Sequence, residues 1–157
     1  MKLLPRLATL YDSNLLFSWA NDLAMRSMAI HSNYINYAEH FRWFENIYHS
    51  PNYLIYIVEW EGQPIGQVRF DFYNTIDAYI DIYISLPFRG LGLAAEMFNC
   101  CAKDIAKTHP FLRFNATVLL GNIASSLLFQ RLNFECQGLH ACKQKWAMHF
   151  HCLASKF

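Results

Sequence analysis

Between Ala78 and Ser85 the chain alternates strictly, with Ile80, Ile82 and Ile84 on one side of an extended segment and Tyr79, Asp81 and Tyr83 on the other. A period of two predicts a strand with one face in a core and the other toward a cleft or solvent. Two more strand-like runs, YLIYIVEW (53–60) and IGQVRFDFY (65–73), flank the turn EGQP and predict a hairpin before it. Helical spacing appears elsewhere. Leu15, Leu16 and Trp19 follow a cap at Asp12 or Ser13, and Phe41, Phe44 and Tyr48 follow Asn36, which stands three residues before Glu39 as in a capping box. The stretch between these helices reads as irregular. A helix from about Gly92 to Lys107, a strand FNATVLL, a helix NIASSLLFQRL and a strand-rich tail from Phe134 to about Ala154 complete the pass. With KLLPRLATL as the first strand, the order is β-α-α-β-β-β-α-β-α-β-β, which implies an α/β chain with a mixed sheet flanked by helices. No linker or repeat divides residues 1–157, so a single domain is expected.

Charge narrows the partners. Thirteen basic residues against twelve acidic ones give +1, so there is neither the basic stripe of a nucleic-acid binder nor the polybasic patch of a membrane-surface protein, and a small molecule is the expected partner. The high apolar share, 54% with 17% aromatic, fits a deep pocket, a subunit interface such as that of a homodimer, or a core rich in Phe and Tyr. Pro5 and Arg6 break the first apolar run, and no stretch approaches the ~20 apolar residues of a membrane span, so a cytoplasmic location is expected. Five cysteines without C-x-x-C spacing read as free thiols. His149 and His151 would share one strand face, but no third ligand with suitable spacing is nearby and no metal is expected.

The run SLPFRGLGLAAEMFNCC uses two of only six glycines just before a predicted helix. Without side chains, Gly90 and Gly92 would let an anion approach the backbone N–H groups of the first helical turn, where the helix dipole favours negative charge. A tight strand-to-helix turn needs the same glycines without any ligand. The string Gly90-Leu91-Gly92-Leu93-Ala94-Ala95 also satisfies the dinucleotide pattern G-x-G-x-x-A. Its context does not: three antiparallel-looking strands precede it and the next strand ends VLLGN without an acid. Nor does a G-K-[ST] follow, which removes a phosphate-loop nucleotidase.

Arg89-Gly90-Leu91-Gly92-Leu93-Ala94 matches R/Q-x-x-G-x-G/A, and the run from Asn122 to Phe134 is similar to a second motif, with one helix and one strand between them. The pair resembles the GNAT superfamily of acetyl-CoA-dependent N-acetyltransferases. WANDLAMR, INYAEHFRWF and GQPIGQVRFD further resemble a subgroup that acetylates nucleotide-linked deoxy-amino-sugars, as in pseudaminic-acid biosynthesis. The resemblance implies a GNAT fold, with a central, mostly antiparallel twisted sheet of about six to seven strands flanked by about four helices. It also implies acetyl-CoA as co-substrate and a primary amine, on a nucleotide sugar, as acceptor. Polyamine, aminoglycoside or protein N-terminal acceptors, or a non-catalytic acetyl-CoA-binding module, stand as alternatives; Glu59, Glu61, Asp71, Asp77 and Asp81 keep a cationic acceptor open.

Carried over position by position, the resemblance implies that the backbone of Ile82, Ile84 and Ser85 pairs with the pantetheine arm. The N–H groups from Arg89 through Gly90, Leu91, Gly92 and Leu93 to Ala94 would hold the pyrophosphate, with Asn122 and Phe129 near the thioester. Each position has a structural reading too, since the isoleucines and Phe129 suit a core and Asn122 suits a helix cap. In direct attack by the amine, a backbone N–H near Ile82 to Ile84 would serve the oxyanion. Asp81 is the carboxylate placed to act as base, or else to bind substrate or pair with a cation; sugar-acetylating relatives carry a glutamate where Tyr79 stands. Many members carry a tyrosine at Phe129 as proton donor to the thiolate, so that role passes to Ser125, Tyr83 or water, or the thiolate leaves unprotonated, given a thiol pKa of ~8.5. Tyr79 and Tyr83 read as substrate contacts or half-buried strand aromatics, and His31 as an acceptor contact or a loop histidine. Arg69, with Arg26 and Arg42, reads as a contact for a nucleotide diphosphate or as a surface ion pair.

Overall fold

The computed structural model describes residues 2–29, 32–142 and 145–157. Seven strands form one sheet: β1 (Leu3–Leu7), β2 (Tyr53–Trp60), β3 (Gln63–Phe72), β4 (Asp77–Ile84), β5 (Arg113–Leu119), β6 (Glu135–Cys142) and β7 (Lys145–Leu153). Their order is β1-β2-β3-β4-β5-β7-β6, antiparallel throughout except for the parallel pair β4 and β5. Among the described residues, five α-helices accompany them: α1 (Ser13–Ala20), α2 (Leu23–Ser27), α3 (Tyr37–Tyr48), α4 (Leu93–Thr108) and α5 (Ile123–Arg131). The mixed, mostly antiparallel sheet is the one anticipated. The additional helix is α2, inside the stretch read as irregular, where the Asp22 side chain accepts the Met25 N–H at 3.0 Å and so caps a single turn.

Local details depart from the simplest reading in two places. The β2–β3 hairpin turns on Glu61 and Gly62 alone, both at positive φ (52° and 77°), so β3 begins at Gln63 rather than Ile65. Pro64 is accommodated beside a bulge at Val58 and Glu59. On α3 the buried stripe is His40, Phe44 and Ile47, whereas Phe41 and Tyr48 are exposed. The helix is rotated by about one residue from the expected face because a histidine takes a core position.

Each sheet face has its own core. Val68, Phe70 and Ile80 meet α4 through Met97, Phe98 and Cys101, while Ile55, Ile57 and Tyr83 on the other face meet Leu16, Trp19, Phe44 and Ile47 of α1 and α3. Phe70, Phe98 and Phe114 form a buried triad with ring centroids 5.4, 5.5 and 6.2 Å apart, joining β3 and β5 through α4. Such pairs contribute roughly 0.5–1.5 kcal/mol each beyond their area. The triad crosses beneath the place where the sheet comes apart. β4 and β5 pair only at Asp77 with Arg113, Ala78 with Phe114 and Tyr79 with Asn115, then diverge. Among the described residues no helix is long and apolar enough to cross a membrane.

Gly66 pairs with Ile84 where β3 and β4 approach most closely. A Cβ there would strike the Tyr83 carbonyl oxygen and lie 2.6 Å from the Met97 methyl. Gly66→Ala is expected to lose roughly 2–4 kcal/mol or fail to fold, as read by urea unfolding; an unchanged midpoint would contradict this packing.

Candidate active site

The divergence of β4 and β5 exposes strand backbone that a continuous sheet would pair. Ser85 N–H donates to the Ile65 carbonyl on the β3 side, and Arg113 N–H donates to the Ile76 carbonyl on the β5 side. Because backbone groups alternate sides along a strand, the amides of Ile82 and Ile84 point into the gap left by β5. The gap is a cleft of about 570 Å³, walled by Ile80 to Ile82, Ala116 to Leu119, and Asn122, Ser125, Leu128 and Phe129. Phe129 is buried and stacks on Phe150 at 5.7 Å, so the wall carries no hydroxyl at that position. Asn122 accepts the Ser125 N–H at 3.2 Å, which makes it the cap of α5 as well as part of the wall.

One end of the cleft continues past Leu128 into a second hollow of about 430 Å³, around Arg89 to Ala95 and the Leu127 to Arg131 side of α5. Gly90 and Gly92 adopt left-handed φ values of 77° and 74°, and Gly92 stands at the N-cap of the 16-residue α4 with no side chain capping the first turn. These free amides and the helix dipole make an anion cradle, and the Arg131 guanidinium lies beside Gly92. Arg89 turns inward instead: its Nε donates to the Ile84 carbonyl at 2.9 Å, its Nη2 lies 3.0 Å from Asp22 Oδ1, and its charge lies over the Tyr83 ring. Its backbone N–H donates to the Leu86 carbonyl at 3.3 Å, so, contrary to the sequence expectation, neither its side chain nor its amide is free and the uncapped amides begin at Gly90.

The other end opens into a third hollow of about 390 Å³ beneath α1, α2 and α3, with Trp19, Glu39, His40, Trp43, Arg69, Asp81 and Tyr83 in its walls. Asp81 and Arg69 belong to both this hollow and the cleft. Arg69 is held by Asp71 through two contacts (2.7 and 3.2 Å) and lies over Trp43. Burial pushes the Asp71 carboxyl up, against the opposing pull of Arg69. Asp81 accepts one long hydrogen bond from Gln67, 3.4 Å. Burial and the Asp22 charge push the Tyr83 phenol up to about 12, so it keeps its proton at neutral pH. Tyr83 faces this hollow and not the cleft wall that carries Ser125 and Phe129.

The structure therefore gathers most of the residues singled out in the sequence but separates Tyr79 and Ser85, the latter because its N–H donates to the Ile65 carbonyl and its carbonyl accepts the Phe88 N–H, which leaves neither for a pantetheine arm. Tyr79 lies below the divergence, 43% exposed, against Tyr73 and His149, and lines none of the three hollows. His31 lies outside the described residues. The histidine that sequence reasoning missed is His40, which is buried, with neither ring nitrogen hydrogen-bonded to a described residue, and whose pKa burial pushes below the ordinary value. Its spacing to Phe44 and Ile47 was the available signal.

A family model described as an acetyltransferase (GNAT) domain matches residues 2–135. The chain belongs to the GNAT acetyltransferase family. It is thus an acyltransferase, with acetyl-CoA as its acetyl donor. No curated protein matches its sequence. Among solved structures it is similar to a spermidine N-acetyltransferase from Vibrio cholerae in complex with CoA and spermine (TM-score 0.87, 18% identity, 98% of this chain and 96% of that one). It is also similar to an N-acetyltransferase from Staphylococcus aureus Mu50 (0.80, 19%, 98% and 99%) and a ribosomal-protein-alanine N-acetyltransferase from Brucella melitensis (0.79, 20%, 96% and 99%). At these identities the likeness is one of fold. The hollows of this GNAT chain fit coenzyme A: uncapped amides and Arg131 suit its diphosphate, and the exposed edge of β4 suits the amides of its pantetheine arm.

Gly92→Ala would force a Cβ into left-handed backbone, costing about 1–2 kcal/mol of stability. Its CoA dissociation constant by calorimetry is expected to rise about tenfold as the cradle distorts; unchanged affinity would place the diphosphate elsewhere.

Proposed function

We propose that this GNAT enzyme acetylates a primary amine on a slender cationic acceptor of the polyamine kind, held in the hollow beneath α1 to α3. The observation that carries the reading is that the acceptor hollow and the cofactor cleft meet at Asp81. A carboxylate there can draw an ammonium to the junction and take its proton, which frees the lone pair for attack. Acetyl-CoA, when bound, supplies an acetyl group activated as a thioester. The amides of Ile82 and Ile84 point at the gap and can donate to a carbonyl oxygen there as negative charge develops on it. Ser125, one helical turn before Phe129, lines the same cleft with Thr117 and offers a hydroxyl that can meet the departing sulfur. Tyr83 is left as a wall of the acceptor hollow.

The rings support the cationic reading, with Arg26 and Arg69 on the same walls balancing two carboxylates. Glu39 and Asp81 stand among the rings of Trp19, Trp43 and Tyr83, an environment that suits an alkylammonium. The nucleotide-linked amino sugar implied by the sequence resemblance needs cations for its diphosphate. Arg69 is engaged with Asp71, and Arg42 is exposed with its Nε donating to the Ala38 carbonyl. The spermidine enzymes among the structural neighbours lend the polyamine reading further support.

Thiol release from acetyl-CoA with spermidine, spermine, putrescine and a uridine-diphosphate amino sugar tests this. Turnover above solvent background is expected with a polyamine and not with the sugar; the reverse pattern would sink the proposal. Asp81→Asn is expected to lower kcat by about 100-fold or more while the CoA affinity holds. His40→Phe is expected to raise the acceptor KM about tenfold without lowering Tm, because it removes unpaired buried nitrogens. The folded state holds His40 neutral below its unfolded pKa of ~6.5, so the unfolded chain binds the proton first as pH falls. Wild-type stability is then lost progressively below about pH 6.5, and His40→Phe should flatten that slope in thermal melts across pH 5 to 7.

A further inference from the structure

Helix α2 lines both the acceptor hollow and the cofactor cleft, through Met25 and Arg26, yet none of its five residues is buried, and Leu23 is 87% exposed. Its apolar packing comes from Met25, partly buried against the Leu16, Trp19 and Phe44 cluster. Polar contacts hold the flanks of the segment. Before the helix, Asn21 exchanges two hydrogen bonds with Ile35 (3.0 and 2.8 Å), and after it Lys145 Nζ donates to the Ala29 carbonyl at 2.9 Å. At its N-terminus, Asp22 caps the turn and meets Arg89.

Arg89 directly precedes the glycines of the anion cradle and lines the same hollow, so this contact ties the cofactor loop to the acceptor wall. Its guanidinium is fixed from three sides, by the Ile84 carbonyl, by Asp22 and by the face of Tyr83, itself an acceptor wall. Nη2 approaches Asp22 Oδ1 at 3.0 Å but is not aimed along a hydrogen bond, so the tie is an ion contact, with side chains 28% and 17% exposed. At that exposure it is screened far less than a surface pair.

We propose that Asp22 is a positioning residue: through Arg89 it couples occupancy of the cofactor cradle to the placement of α2, so that the acceptor hollow is completed when coenzyme A is bound. A ligand that orders the loop at Arg89 to Ala94 strengthens the Arg89–Asp22 contact, and by reciprocity a ligand that needs α2 in place strengthens cofactor binding. The coupling to acceptor affinity rests on the acceptor reading above, whereas the coupling to α2 itself does not.

Asp22→Asn separates charge from capping, since asparagine caps a helix about as well as aspartate. Hydrogen exchange of the amides from Met25 to Ala29, with and without saturating CoA, is the first measurement. Wild-type protection is expected to rise at least about fivefold on CoA binding, and the rise is expected to be lost in Asp22→Asn at equal CoA saturation. Equal protection in the variant would mean that CoA orders α2 by touching it, and no protection in wild type would mean that no coupling exists; either result overturns the proposal. Calorimetry with spermidine, with and without CoA, is the second measurement. Wild type is expected to bind spermidine at least about fivefold tighter with CoA present, and Asp22→Asn to show a ratio near one. If no polyamine binds under any condition, the acceptor reading fails, and hydrogen exchange still decides the role of Asp22.

Discussion

The site depends on two parallel strands that stay together for three residue pairs and then part. What keeps them together at the base is a polar clamp. Asp77 Oδ1, at the start of β4, accepts from Arg113 Nε at 2.6 Å and from Asn115 Nδ2 at 3.0 Å, both on β5. Arg113 holds the Asp77 carboxyl below its ordinary pKa, so the clamp is fully charged at neutral pH. Asn115 is buried, and its amide would be costly to leave unpaired. Above the clamp no ladder continues, and the amides of β4 are left for another extended molecule to use.

The opening survives because both sides of it are anchored elsewhere. β3 completes the ladder of β4 on one flank, and β7 pairs along β5 from Arg113 to Leu119 on the other. The Phe70, Phe98 and Phe114 triad and α4 span the two halves underneath. A ligand inserted between the strands therefore meets a preformed slot with little ordering cost. The same helix that bridges the halves begins at Gly92, so one element braces the slot and presents the anion cradle at its end.

The acceptor side is built differently. α1 and α3 pack over Ile55, Ile57 and Tyr83 and bring indoles, an imidazole and carboxylates together, whereas α2 contributes only Met25 to that cluster and leans on ion and hydrogen-bond contacts. On the proposed function, a rigid cofactor slot joined to a more loosely held acceptor wall is a division of labour in which one family scaffold can accept different amines by changing a few side chains. Inside the slot, Phe129 stacks on Phe150 and presents a ring rather than a hydroxyl to the cleft that Ser125 also lines.

Local pattern determined much of this in advance. The alternation of Ile80, Ile82 and Ile84 against Asp81 and Tyr83 set the strand and its two faces, because side chains alternate with a period of two whatever the fold. The pairing of Arg89, Gly90 and Gly92 with the Asn122 to Phe134 run marked the family, since left-handed backbone at a helix start demands glycine. Tertiary structure alone decided where β4 and β5 part, because ladder length depends on which strands flank each one. It alone made α2 a helix, five residues capped by Asp22 and too short to leave a periodic signal, and turned the Arg89 side chain away from the cradle toward Asp22, sixty-seven positions earlier in the chain. And it alone separated Tyr79 from Asp81 and Tyr83: all three share a face, but a face has no address until other elements cover part of it.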